Sequence, residues 1–236
     1  MGAIADNLQA VRERIAQAEV KAGRDPRSVG LLAVSKMVGV AAVRTAWAAG
    51  QRAFGESYVQ EAIDKISLLE DTPIEWHFIG PLQSNKTRPV AERFDWVHSV
   101  SSLKIAQRLS QQRPVERTPL SVCLQVNVSG EATKAGVTEA DVASLALAVA
   151  ALPRLRLRGL MCIPAPAAGF EAQRPAFARL RHLRQQLIDQ GLTLDTLSMG
   201  MSDDLEAAIA EGATWVRVGT AVFGARTTAS IDPVLG

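Results

Sequence analysis

The feature that most limits the fold of this chain is an alternation. Short runs rich in Val, Ile, Leu and Phe recur at 31–36 (LLAVSK), 52–56 (RAFGE), 75–80 (EWHFIG) and 96–100 (WVHSV). Four more follow at 120–128 (LSVCLQVNV), 156–164 (RLRGLMCIP), 196–200 (TLSMG) and 215–220 (WVRVGT). Between them lie helix-patterned segments with recognisable stops and starts. VGVAAVRTAWAAG ends on a glycine and DVASLALAVAALP on a proline, both ordinary helix terminators. SDDLEAAIAEG opens with Ser202 as a cap and acidic residues in its first turn, where they favour the helix dipole. Strands that alternate with helices predict a parallel sheet. Eight such units in 236 residues fit a (β/α)8 barrel, for which ~250 residues is typical. An open doubly wound sheet is the competing arrangement, but no GxGxxG follows the first strand and an eighth unit is hard to place there. The prediction is therefore α/β: one TIM-type barrel domain over 1–236, with the helix at 3–22 as an extra cover.

Composition removes several functional classes. Lys+Arg is 26 and Asp+Glu 24, and so balanced a chain carries no electrostatic footprint for nucleic acid or an anionic membrane. No stretch approaches the ~18 apolar residues of a membrane helix. The charged, helix-periodic N-terminus does not read as a signal peptide. The two cysteines, Cys123 and Cys162, each lie in an apolar run, where buried thiols are expected rather than a disulfide. A cytoplasmic protein is the expectation, and with no exposed apolar stripe evident, a monomer.

In such barrels the chemistry sits at the C-terminal strand ends, and side chains alternate between faces along a strand. Leu32, Val34 and Lys36 share a face, so Lys36 closes an apolar strand. Partial desolvation there lowers an ammonium pKa and exposes a nucleophilic amine; otherwise the residue is a lysine snorkelling to solvent. The other five of the six lysines fall in polar helical or loop segments. Trp215, Arg217 and Gly219 share a face that turns Arg217 into the barrel, where a guanidinium needs an acceptor or an anion. An internal ion pair, for example with Glu56, would satisfy it equally. Phosphate is often bound by the loops after strands 7 and 8 of a barrel. Here those loops offer Ser202 at a helix start and the Gly219-Thr220 step, although Asp203 and Asp204 repel an anion unless they point away. Glu56, His77, His98 and Asn127 are further strand-end polar residues, with His77 and Asn127 expected to point as Lys36 does. Three scattered histidines without Cys/His/Asp spacing predict no metal site, and neither GxSxG nor a P-loop occurs. One lysine for an aldehyde, one phosphate seat and one buried arginine together suggest pyridoxal 5'-phosphate.

AVSK at 33–36, FGESYVQE at 54–61, WHFIGPLQSNK at 76–86, LSMGMSDDLEAAIAEGATWVRVGT at 197–220 and FGAR at 223–226 resemble the pyridoxal phosphate homeostasis protein family, also called the proline synthetase co-transcribed group. That family's barrel is similar to the N-terminal domain of alanine racemase. The resemblance spans nearly the whole chain. It implies a Schiff base between Lys36 and pyridoxal phosphate, phosphate contacts from Ser202, Gly219 and Thr220, and Arg217 facing the pyridine nitrogen. Tyr58, at the start of the helix after strand 2, is expected at the phosphate or the pocket wall. One departure stands out: the family reads FGENYVQE, whereas this chain has Ser57 for the asparagine, so Ser57 is not expected to be a ligand.

An arginine at the pyridine nitrogen disfavours a pyridinium and weakens the electron sink of carbanion chemistry. The racemase relative has that arginine too, but its second base, a tyrosine, comes from another domain. This chain stops at Gly236, just after the eighth unit, and no such domain is expected. The expectation is a protein of vitamin B6 homeostasis with no catalytic residues, which buffers the free aldehyde and passes it to apo-enzymes. A weak amino-acid racemase using Lys36 and water is the alternative. A class I aldolase is disfavoured because the sixth strand has no lysine.

Overall fold

The computed structural model describes residues 2–130 and 135–224. Eight strands form a closed barrel in sequence order, all parallel, with the last paired to the first. They are β1 (Gly30–Val34), β2 (Ala53–Glu56), β3 (Glu75–Phe78), β4 (Trp96–Val100), β5 (Leu120–Gln125), β6 (Leu155–Met161), β7 (Thr196–Ser198) and β8 (Trp215–Val218). Helices α2 (Val40–Ala48), α3 (Val59–Leu68), α4 (Thr87–Arg93), α5 (Leu103–Gln112), α6 (Val142–Ala150), α7 (Phe170–Asp189) and α8 (Leu205–Ala210) connect successive strands, and a short α9 (Thr220–Phe223) follows β8. The expected additional helix is α1 (Ala3–Lys21), which packs on α2, α8 and α9. Its Glu19 accepts hydrogen bonds from the Arg27 and Val29 amides and so anchors the lead into β1.

Period-2 alternation divides the strand residues between two environments. Ala33, Phe54, Phe78, Val97, Leu124, Leu160, Leu197, Val216 and Val218 join the main core between sheet and helices. Each large aliphatic or aromatic side chain buried there contributes roughly 1.5–3 kcal/mol. The other face lines the bore. There Trp96, Cys123 and Met161 form a small separate cluster, beside buried His77, His98, Ser198 and Arg217. Both cysteines are free and buried, and burial pushes the Cys162 thiol up to about 12. At Gly30 a Cβ would collide with the Trp215 ring, so glycine makes room for the indole on the neighbouring strand.

Several strands are shorter than their apolar runs. β1 ends at Val34, whose last ladder partner is Gly55. β5 ends at Gln125, and Val126 beyond it forms an isolated bridge with Val137. β8 ends where Gly219 turns into α9. Lys36 and Asn127 are thus on loops just above the barrel rather than in it, and Thr220 is the first residue of α9. Among the described residues no helix is long and apolar enough to cross a membrane, and no cluster of metal-ligating residues exists.

Candidate functional site at the barrel mouth

Lys36 stands two residues beyond β1, half-buried, in a turn where Met37 takes the left-handed conformation with φ 58°. The backbone on both sides of it is clamped. The Ser35 amide donates to the Gly55 carbonyl (2.9 Å), and the Met37 amide to Glu61 Oε1 (2.6 Å). Lys65 Nζ, from α3, donates to the Ser35 carbonyl (2.7 Å), to Glu56 Oε1 (2.7 Å) and to Glu61 Oε1 (2.9 Å). The Ser35 hydroxyl donates to the same Glu56 oxygen (2.6 Å). Burial pushes the Glu56 carboxyl upward, while Lys65 and Ser35 pull it back. With a lysine at 2.7 Å, the charged pair is the state that satisfies both groups.

Two sequence expectations change here. Lys65 is not in a polar segment but 4% exposed. The pattern that reveals it is its place with Ala62 and Ile66 on the buried stripe of α3. Glu56 is not the partner of Arg217. It follows Phe54 on the outer face of β2, toward α3, whereas Arg217 faces the bore.

Arg217 is 4% exposed and donates to Ser198 Oγ (2.8 Å) and to the Cys162 carbonyl (2.8 Å). Burial lowers its pKa. It makes no ion pair among the described residues, so this buried cation is held by neutral acceptors only. That arrangement leaves it suited to a further acceptor from a ligand. β1 and β8 are hydrogen-bonded neighbours, with Leu32 opposite Arg217 and Ala33 opposite Val218. Lys36 and the Gly219-Thr220 step therefore leave the barrel on the same rim.

The turn after β7 lies beside them, since Arg217 N donates to the Gly200 carbonyl. Here the expected cap shifts. Asp204, not Ser202, is the N-cap of α8, and its Oδ1 accepts from the Met201 amide (2.6 Å). The four-residue step MSDD closes on itself before the helix begins, so Ser202 rides in the turn. Asp204 thus directs its carboxylate at its own turn, which eases the repulsion expected toward an anion. Tyr58 is exposed at the rim as the N-cap of α3. Asn127 lies just past β5, its amide donating to the Val137 carbonyl (2.9 Å).

His77 does not join this rim. β3 starts at Glu75, so His77 is only its third residue and sits opposite Trp96, the first residue of β4. Its ring is fully buried, stacked on Trp96 with centroids 5.4 Å apart, and both nitrogens are engaged by His98 and Glu75. A strand-end reading of EWHFIG extends the strand two residues too far. Ile79 and Gly80 belong to the loop, where a Cβ on Gly80 would overlap the Ser57 carbonyl.

The sequence matches the family model of the alanine racemase N-terminal domain over residues 2–227. It is 66% identical over 226 residues to a pyridoxal phosphate homeostasis protein of Pseudomonas aeruginosa, covering 96% of this chain and 97% of that one. A protein of the same name from Escherichia coli K12 is 52% identical over 229 residues, covering 96% and 98%. The structure of PipY from Synechococcus elongatus, described with pyridoxal phosphate bound, matches with a TM-score of 0.81 and 43% identity over 94% of this chain and 100% of that one.

Proposed function

The chain belongs to the pyridoxal phosphate homeostasis protein family, and we propose that it holds pyridoxal 5'-phosphate at the barrel mouth as a carrier serving B6 homeostasis. When bound, that cofactor presents an aldehyde to an amine, a pyridine nitrogen to a donor and a phosphate to amides and hydroxyls. In this reading Lys36 takes the aldehyde covalently. Ser202, Gly219 and Thr220 hold the phosphate, Arg217 donates to the ring nitrogen, and Tyr58 and Asn127 line the rim. The observation that carries it is a half-buried amine on the rim above a buried guanidinium whose partners among the described residues are all neutral. An amine alone would suit many carbonyl compounds; the guanidinium and the two turns beside it select one with a ring acceptor and an anionic tail.

A carrier rather than a catalyst fits the arginine, which resists giving up a proton and so leaves the ring nitrogen unprotonated. Handing the cofactor to apo-enzymes is the corresponding partner role, within one barrel domain that acts as a monomer. The test is an absorbance titration with pyridoxal phosphate. Wild type gains a visible band, and Lys36→Ala, folded by circular dichroism, does not. An identical band in Lys36→Ala would remove Lys36 from its role. α-Proton exchange of amino acids in D2O, seen in wild type and lost in Lys36→Ala, would replace the carrier reading with a racemase.

A further inference from the structure

The bore below Arg217 holds a continuous line of polar groups in an otherwise apolar interior. Arg217 Nη1 donates to Ser198 Oγ (2.8 Å). Ser198 Oγ contacts His98 Nδ1 (2.7 Å). His98 Nε2 contacts His77 Nδ1 (2.8 Å), and His77 Nε2 contacts Glu75 Oε1 (2.6 Å). The line starts near the mouth and finishes at the first residue of β3, on the opposite end of the barrel. The Glu75 side chain is 45% exposed there, whereas His77 is fully enclosed. Trp96 stacks on His77, and Trp215 meets it edge-on at 5.0 Å. These indoles shield the middle of the line from water.

Simple donor counting fixes its direction. An ionised Glu75 has no proton to give, so His77 donates to it from Nε2. A neutral His77 then accepts at Nδ1 from His98 Nε2–H, and a neutral His98 accepts at Nδ1 from the Ser198 hydroxyl. A guanidinium has no acceptor, so Ser198 accepts from Arg217. Complete burial disfavours the charged form of both rings, and His77 and His98 are both held below the ordinary histidine range by that desolvation. The bond from His77 holds the Glu75 carboxyl low. Every group along the line is therefore used in one sense only.

We propose that Glu75 is a positioning residue for the mouth: it is the terminal acceptor of a one-way donor chain through His77, His98 and Ser198 that fixes Arg217 from the far end of the barrel. A low-dielectric interior strengthens such chained bonds. Glu75 is also charge-bearing and water-accessible, so the barrel floor is coupled to the seat of the cofactor ring. The link to cofactor binding rests on the function proposed above; the chain itself does not.

Two measurements separate these points. In the cofactor-free protein, side-chain 15N spectra should show His77 and His98 as neutral Nε2–H tautomers, with exposed His182 as the internal reference. Either ring charged, or protonated on Nδ1, overturns the chain whatever the cofactor does. Glu75→Leu should scramble the tautomers of both rings and weaken pyridoxal phosphate binding roughly threefold to tenfold, the scale of one hydrogen bond. Glu75→Gln, which keeps a neutral acceptor, should restore the tautomers. In a Ser198→Ala background, where the line is already cut, Glu75→Leu should have no further effect on binding. An equal loss in both backgrounds, or no loss in either, overturns the positioning role. If wild type takes up no pyridoxal phosphate while the tautomers are as stated, the function fails and the chain stands.

Discussion

Lys65 does more for the site than its distance from the ligand-facing surface suggests. It is one of the most buried charges in the protein, and its ammonium ties together the Ser35 carbonyl, Glu56 and Glu61, the three groups that fix the turn carrying Lys36. Lys65→Met leaves Glu56 buried without its cation, a loss on the scale of ~3–5 kcal/mol. Because burial raises the Glu56 carboxyl, removing the lysine raises it further. A carboxyl whose folded pKa exceeds its unfolded value binds protons more readily in the folded state. Its penalty is therefore greatest at high pH and recedes as pH falls through the folded value. Thermal unfolding at pH 8 and pH 5 should show the variant's deficit against wild type shrinking on acidification; a deficit that grows would contradict the assignment. None of this was readable from the isolated residue. Lysine in an acidic helix reads as solvated, and only its register with Ala62 and Ile66 places it on the inward stripe. Arg217, by contrast, was legible, since two valines facing the helix layer leave the intervening side chain no direction but the bore.

At the level of elements, the strand and helix alternation predicted all eight units. The apolar runs overstated how far several strands continue. Hydrophobic pattern reports burial, and the loops above a barrel are buried too. The ladder stops where the neighbouring strand stops, which a single run cannot reveal. His77 illustrates the consequence. Its register against Trp96 puts it in the bore below the rim. The start of α8 has a similar cause: Ser202 and Asp204 are both good caps, and only the closed turn from Met201 to Asp204 selects the second. Gly80 shows what the mouth requires of its loops. It lets the chain after β3 pass against the Ser57 backbone, at the position where this sequence departs from the family's asparagine. Gly80→Ala should cost about 1–3 kcal/mol, as overpacking typically does, and should weaken cofactor uptake through movement of the rim. Denaturant unfolding checks the first and absorbance titration the second; wild-type behaviour in both would mean that the loop shifts without consequence.

On the scale of the whole molecule, the barrel separates two tasks. The layer between sheet and helices is apolar and supplies most of the stability. The bore is polar along one line, from water-accessible Glu75 at the floor to Arg217 beneath the mouth, and the middle of that line is packed against Trp96 and Trp215. In the proposed function, covalent capture at Lys36 and the phosphate contacts belong to the rim, and Arg217 meets the ring from the bore beneath it. The most direct test is borohydride reduction of the protein mixed with pyridoxal phosphate, followed by peptide mapping by mass spectrometry. A single reduced adduct on Lys36, with Lys65 unmodified, is the expected result. An adduct spread over exposed lysines, or none on Lys36, would contradict the account.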